Sequence, residues 1–133
     1  MLARLKQVAD ELKLPVRERR RVYNSRRATE LGKWAEVQGR GDTFHEAIFR
    51  AYFAEGLNIA DLSVLKEICS RTNLDPDEAE RVLAEGIYKE TVDDDWRYAV
   101  RIGVTAVPTF LAAGRAVVGA QPYEVLEGLV NTI

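Results

Sequence analysis

From Leu2 to Ile102 the apolar residues recur at helical spacing, broken by an extended piece at 15–23, and only beyond Gly103 does the pattern turn to a hairpin. That asymmetry constrains the fold more than any other feature. A chain that is helical for three quarters of its length and then offers a single late hairpin cannot be an all-β or a regularly alternating α/β domain. A two-stranded hairpin is marginal in water, so this one must lean on another element.

The punctuation supports the helices one by one. Leu2, Leu5, Val8, Ala9 and Leu12 share a face, and Leu14-Pro15 ends that segment because the residue before proline avoids the helical region. Residues 15–23 read as an arginine-rich extended piece. Asn24 and Ser25 are N-cap residues for a helix carrying Ala28, Leu31, Trp34 and Ala35 inward, which stops near Gly39-Arg40-Gly41. Thr43-Phe44-His45-Glu46 has the form of a capping box, followed by a stripe of Phe44, Ile48, Ala51 and Tyr52 with Phe49 and Phe53 beside it, closed by Gly56. Asn58 or Asp61 caps a helix with Leu62, Leu65, Ile68 and Cys69 inward, and Asp75-Pro76-Asp77-Glu78 opens the next, which ends near Gly86. A helix from about Tyr88 to Ile102 is expected to bury Val92, Trp96 and Ala99, with Gly103 at its C-terminus. Then come a strand at Val107–Leu111, a turn at Ala113-Gly114, a strand at Arg115–Val118, and a last helix burying Val125, Leu126, Leu129 and Val130.

Composition enters by exclusion. The 133 residues suffice for one domain with a real core, and 47% hydrophobic with 30% charged residues excludes wholesale disorder. Nineteen basic against 21 acidic residues give a net charge of -2, which is no polycation. One cysteine cannot form an internal disulfide, a CxxC pair or a thiolate zinc site, and one histidine rules out a multi-histidine metal site. The charged start shows no signal peptide, and no apolar run approaches the roughly 18 residues of a membrane span. A cytoplasmic protein is therefore expected.

Four separated stretches carry a resemblance. Tyr23-Asn24-Ser25-Arg26-Arg27-Ala28, Phe44-His45-Glu46-Ala47-Ile48-Phe49-Arg50-Ala51-Tyr52-Phe53, Gly103-Val104-Thr105-Ala106-Val107-Pro108-Thr109-Phe110 and Val118-Gly119-Ala120-Gln121-Pro122 resemble, in order, landmarks of the DsbA-like thioredoxin-fold proteins. The FrnE-type dithiol-disulfide oxidoreductases are the branch they fit, and hydroxychromene-carboxylate isomerases and kappa glutathione transferases share the fold. The resemblance implies a mainly α protein with a small β-hairpin (α+β): a DsbA-type helical insert plus the C-terminal half of a thioredoxin fold. It implies one domain over 1–133, with a helix and extended segment at 1–23, the insert at 24–103, and the hairpin and final helix at 104–133. It also implies a cis bond before Pro108, and a substrate-binding loop of Ala106, Val107 and Pro108.

The family's opening strand, CxxC helix and second strand have no counterpart in this sequence, so the resemblance is to an N-terminally truncated member. Exchange needs an attacking thiolate and a resolving thiol. Cys69, mid-helix on an apolar face, cannot be both, so no catalytic residue is assigned and the isolated chain is expected to be inactive, a binding module or a remnant. One alternative is the C-terminal part of a split oxidoreductase whose CxxC half is a separate chain. Another is a polyanion-binding protein through Arg17–Arg27, with Arg17, Arg19, Arg20 and Arg21 as contacts, although Glu18 interrupts the cluster and nucleic acid is disfavoured by the overall charge. Neither metal nor cofactor is called for: Asp93, Asp94 and Asp95 point about 100° apart on a helix. His45 is expected to pack or face solvent, and Cys69 to be a small buried hydrophobe. The hairpin's free edge is expected to be shielded in a homodimer through the truncated sheet face.

Overall fold

The computed structural model describes residues 2–131, and they are mostly helical with one two-stranded antiparallel sheet. The chain divides into two compact units, Met1–Val92 and Asp93–Ile133, with the boundary inside a helix. Among the described residues no helix is long and apolar enough to cross a membrane.

In the first unit the helices are α1 (Leu2–Glu11), α2 (Arg26–Val37), α3 (Gly41–Phe49), α4 (Leu62–Arg71) and α5 (Pro76–Glu85), with a π-helical turn, Arg50–Ala54, continuing α3. α2 packs against α3 and α5, and α4 against α5 and α3, so the four helices close a ring around one core. Leu31, Trp34 and Ala35 of α2 meet Phe44 of α3, Leu65, Ile68 and Cys69 of α4, and Ala79 and Val82 of α5. Each large side chain fully buried there stabilises the unit by roughly 1.5–3 kcal/mol relative to exposure.

The ends of α4 and α5 follow their local chemistry. The Asp61 carboxylate accepts from the Ser63 amide at 2.8 Å. Asp75 accepts from the amides of Asp77 and Glu78, and Pro76, which has no amide hydrogen to lose, occupies the first helical position. Gly86 leaves the helix in the left-handed region, φ 63°.

One expectation fails in this unit. The Thr43 capping box does not form: α3 starts at Gly41, and the Phe44 amide donates to the Arg40 carbonyl at 2.9 Å. Gly39, at φ 71°, reverses the chain so tightly after α2 that it re-enters helix before Thr43 is reached. The expected stripe holds, with Phe44 and Ala51 buried and Ile48 and Tyr52 packed against the core, while Phe49 beside it is 62% exposed. The helix widens after Phe49: the Glu55 amide donates to the Arg50 carbonyl, five residues back, at 3.0 Å.

The second unit holds most of α6 (Lys89–Arg101), β1 (Thr109–Ala112), β2 (Arg115–Val118) and α7 (Tyr123–Asn131). Thr109 pairs with Val118 and Ala112 with Arg115, leaving Ala113 and Gly114 as a two-residue turn at φ 47° and 73°. Both residues at positive φ make a turn whose twist matches that of the strands. β1 begins later than the expected Val107, because Pro108 has no amide to offer a ladder. α7 packs on both strands.

Burial here is thinner than expected. The buried stripe of α6 ends at Val92, inside the first unit, and Trp96, one turn on, is 56% exposed. Its own unit is too small to enclose an indole. In α7 Leu129 is buried and Leu126 half-buried, but Val125 and Val130 are exposed. Two strands are too narrow to cover the whole apolar arc of a helix.

Candidate functional site

The loop before β1 is held from both sides by local bonds. The Thr109 hydroxyl donates to the Ala106 carbonyl at 2.5 Å. The Gly119 amide donates to the Pro108 carbonyl at 2.8 Å, which extends the hairpin by one rung beyond the Thr109–Val118 pair. Gly119 sits at φ 88°, where a residue with a Cβ would be strained. The Gln121 side-chain amide donates to the Val118 carbonyl at 2.9 Å and fixes the strand's exit.

Between these pins lies Val107. Its peptide bond to Pro108 is cis. The side chain is 89% exposed, and among the described residues neither its amide nor its carbonyl takes part in a hydrogen bond. A donor and an acceptor on one residue, both open and held by fixed neighbours, are what an extended chain needs in order to add itself as a strand. Thr109 and Gly119, which do the pinning, were not singled out from sequence as functional residues. A hydroxyl directly after a proline and a glycine directly after a strand are the signals that carry them.

Cys69 belongs to the first unit. It is fully buried on the apolar face of α4, and burial pushes its thiol up to about 11. A thiol so shifted is almost wholly protonated near neutral pH and is a poor nucleophile. His45 is exposed, with its ring nitrogen Nε2 3.2 Å from Glu36 Oε1 and the edge of its ring against Gly32. Its hydrogen-bond partner is thus a carboxylate rather than a nucleophile it could activate. Asp94 pairs with Arg97, Glu78 with Arg81 and Glu80 with Lys66, so these carboxylates are spent on surface ion pairs. Among the described residues no three His, Cys, Asp or Glu side chains are grouped to hold a metal ion.

The arginines of the cluster differ in their contacts, although Arg19, Arg20 and Arg21 line one shallow hollow together. The Arg17 amide donates to the Phe53 carbonyl at 2.7 Å and its guanidinium to the Glu55 carbonyl at 3.1 Å. Arg19 lies over the rings of Tyr52 and Phe53. Arg26 donates to the Lys89 carbonyl and Arg27 to the Ala60 carbonyl. Arg20 and Arg21 remain exposed.

The sequence model of the DSBA-like thioredoxin domain family matches residues 1–131. Among curated proteins, the uncharacterized protein YwbO of Bacillus subtilis is 25% identical over 99 residues, which is 74% of this chain and 50% of that protein. Among solved structures, the probable DsbA oxidoreductase SCO1869 from Streptomyces coelicolor is similar at a TM-score of 0.85 and 31% identity, covering 97% of this chain and 57% of that one. The chain thus spans about half the length of the curated relative it matches.

Proposed function

The chain belongs to the DSBA-like thioredoxin domain family, and from that premise we propose that it supplies the substrate-facing loop and helical part of a disulfide-handling scaffold while performing no dithiol exchange with its own cysteine. The open backbone of Val107, with Ala106 and Pro108 beside it, is the observation that carries the binding half. An extended peptide, or a short thiol peptide such as glutathione, would take the free amide and carbonyl as a strand partner. The burial of Cys69 supports the inert half. Within the family we place the chain in the FrnE-type branch, in the cytoplasm, on its four sequence landmarks.

Titrating an unstructured, cysteine-bearing peptide into the isotope-labelled chain tests the loop. The Val107 amide resonance should shift first, and Val107→Pro, which deletes the donor, should abolish the effect. Shifts scattered elsewhere while Val107 stays still would reject the loop as the binding site.

A second reading has its own support. The similar Streptomyces protein is a probable DsbA oxidoreductase, and 57% of it is matched. A CxxC-bearing segment outside the residues described could then complete the site. Adding such a segment should restore exchange that the chain alone lacks; if the mixture is no more active than its parts, this reading fails.

We further propose that copies of the chain associate through the hairpin. Among the described residues β1 and β2 pair only with each other, and Leu111 and Val118 are exposed. Open edges of this kind invite strand pairing. Sedimentation equilibrium should give a dimer that Leu111→Lys shifts to monomer; a concentration-independent monomer would refute the pairing.

A further inference from the structure

The apolar face of α1 is the part of the first unit that the core leaves unused. Among the described residues of α1 only Ala9 is buried. Leu2, Leu5 and Val8 of the same helix, and Leu12 just past its end, are between 40% and 63% exposed. They border a channel rather than a flat surface. Its widest part, about 490 Å³, has Leu5, Val8 and Leu12 on one side and Phe49, Phe53 and Ala54 on the other. That volume falls within the roughly 300–1,000 Å³ of ordinary ligand cavities. A hollow of about 220 Å³ continues it toward the start of α1, with Leu5 and Val16 common to both. A third, of about 90 Å³, shares Leu2 and Arg19 with the second.

The channel is graded in polarity along its length. Among the described residues the charged side chains of the wide part are Glu46 and Arg50, both exposed and opposite in sign. The middle part has Lys6, Arg17 and Arg19 against Glu18. The last part has Arg19, Arg20 and Arg21 and no acid. Three of these cations are engaged: Lys6 with Asp10 at 3.1 Å, Arg17 with the Glu55 carbonyl, and Arg19 over the Tyr52 ring. Arg20 and Arg21 are exposed and have no ion-pair partner among the described residues.

An apolar trough that leads to two unpaired guanidinium groups is complementary to an apolar chain with an anionic head. Guanidinium forks match carboxylates and phosphates. The stripe from Leu2 to Leu12 runs about 15 Å along the helix axis, the length of an extended dodecyl chain.

We propose that this channel binds a single-chain anionic amphiphile of the fatty-acid type, its chain against Leu5, Val8, Leu12, Phe49 and Phe53 and its head at Arg20 and Arg21. The site lies within the helical unit and does not involve the Val107 loop.

Calorimetric titration of the intact chain with dodecanoate, kept below its micelle concentration, tests it. Octanoate and dodecyltrimethylammonium are the comparisons. Dodecanoate should bind at least about tenfold more tightly than octanoate, because each buried methylene adds affinity. It should exceed dodecyltrimethylammonium by about tenfold or more, because that head meets like charge. The double variant Arg20→Gln with Arg21→Gln should weaken dodecanoate by about tenfold, and Leu12→Asn should weaken it as well. All three side chains are exposed, so these replacements leave the fold intact. Absence of dodecanoate binding, or equal binding of dodecyltrimethylammonium, would overturn the proposal. Binding unchanged in the arginine variant would overturn the placement of the head, and binding unchanged in Leu12→Asn that of the chain. Retention on phosphatidylglycerol vesicles without binding of free dodecanoate would assign the face to a membrane surface instead. A dimer that Leu12→Asn dissociates, again without dodecanoate binding, would assign it to a second copy; either result overturns the proposal.

Discussion

The Arg19 guanidinium carbon stands 3.7 Å from the centroid of the Tyr52 ring, and 4.9 Å from that of Phe53. Together with the two bonds from Arg17 to the carbonyls of Phe53 and Glu55, this straps the extended segment after α1 onto the π-helical turn. The wider turn leaves those carbonyls outside the regular helical ladder, and arginines take them. Residues that read as a candidate anion-binding cluster are here partly structural.

Arg19→Ala should cost about 1–2 kcal/mol, as expected of a half-buried cation over two aromatic faces. Arg19→Lys should recover part of that, because an ammonium keeps the charge but not the planar contact. Urea unfolding of the three proteins measures it. An alanine variant as stable as the parent would show that the strap contributes nothing.

Asp75→Ala removes the acceptor for two amides of α5, those of Asp77 and Glu78. The expected loss is about 1 kcal/mol. It should appear as a lower urea midpoint at unchanged slope, with Asp75→Ser restoring most of it. A larger fall in slope would mean that the variant has altered the unfolded or native ensemble instead.

Ala113 holds φ 47° in the hairpin turn, a region that costs an L-residue with a Cβ roughly 1 kcal/mol or more. Asparagine tolerates it better, and Asn-Gly is the preferred pair for this turn. Ala113→Asn should therefore stabilise the protein by about 0.5–1 kcal/mol, and Gly114→Ala should destabilise it by a similar amount. A thermal melt that moves in the opposite direction for either would contradict the turn geometry.

Cys69 makes stability depend on alkaline pH. Its folded value of about 11 lies above the ordinary 9.0, because burial disfavours the thiolate. Below pH 9.0 both states keep the proton and the group contributes no slope. Above it the unfolded chain ionises first and binds fewer protons, so stability falls as pH rises toward the folded value. The loss attributable to this thiol should reach about 2 kcal/mol. Comparing the parent with Cys69→Ala across that window isolates it from lysines and tyrosines. Parallel curves would mean that Cys69 ionises as easily folded as unfolded.

Much of the fold was readable because strong local signals agreed with the tertiary structure. Asp75-Pro76 and Gly86 bracket α5, and Ala113-Gly114 forms the turn between two strands where it was expected. Where local and tertiary signals compete, the sequence misleads. Thr43 and Glu46 have the spacing of a capping box, yet the turn at Gly39 starts α3 before them. Trp96, Val125 and Val130 keep helical spacing, but nothing in a periodicity says how wide the covering surface is. At the candidate loop the Val107–Pro108 landmark was legible by resemblance, whereas the pins at Thr109 and Gly119 are contacts that only the folded chain brings together. The burial of Glu30 on α2 was invisible: at helical spacing an acid beside Arg26 and Arg27 reads as a solvated pair, and only packing reveals that it is closed in.

The most direct measurement is reduction of insulin by dithiothreitol in the presence of the purified chain, followed by turbidity. A chain whose one thiol is buried in α4 should leave the rate at that of dithiothreitol alone, and Cys69→Ser should change nothing. Acceleration by the chain, above all if it persists in Cys69→Ser, would contradict the reading of this polypeptide as a binding half without exchange chemistry of its own.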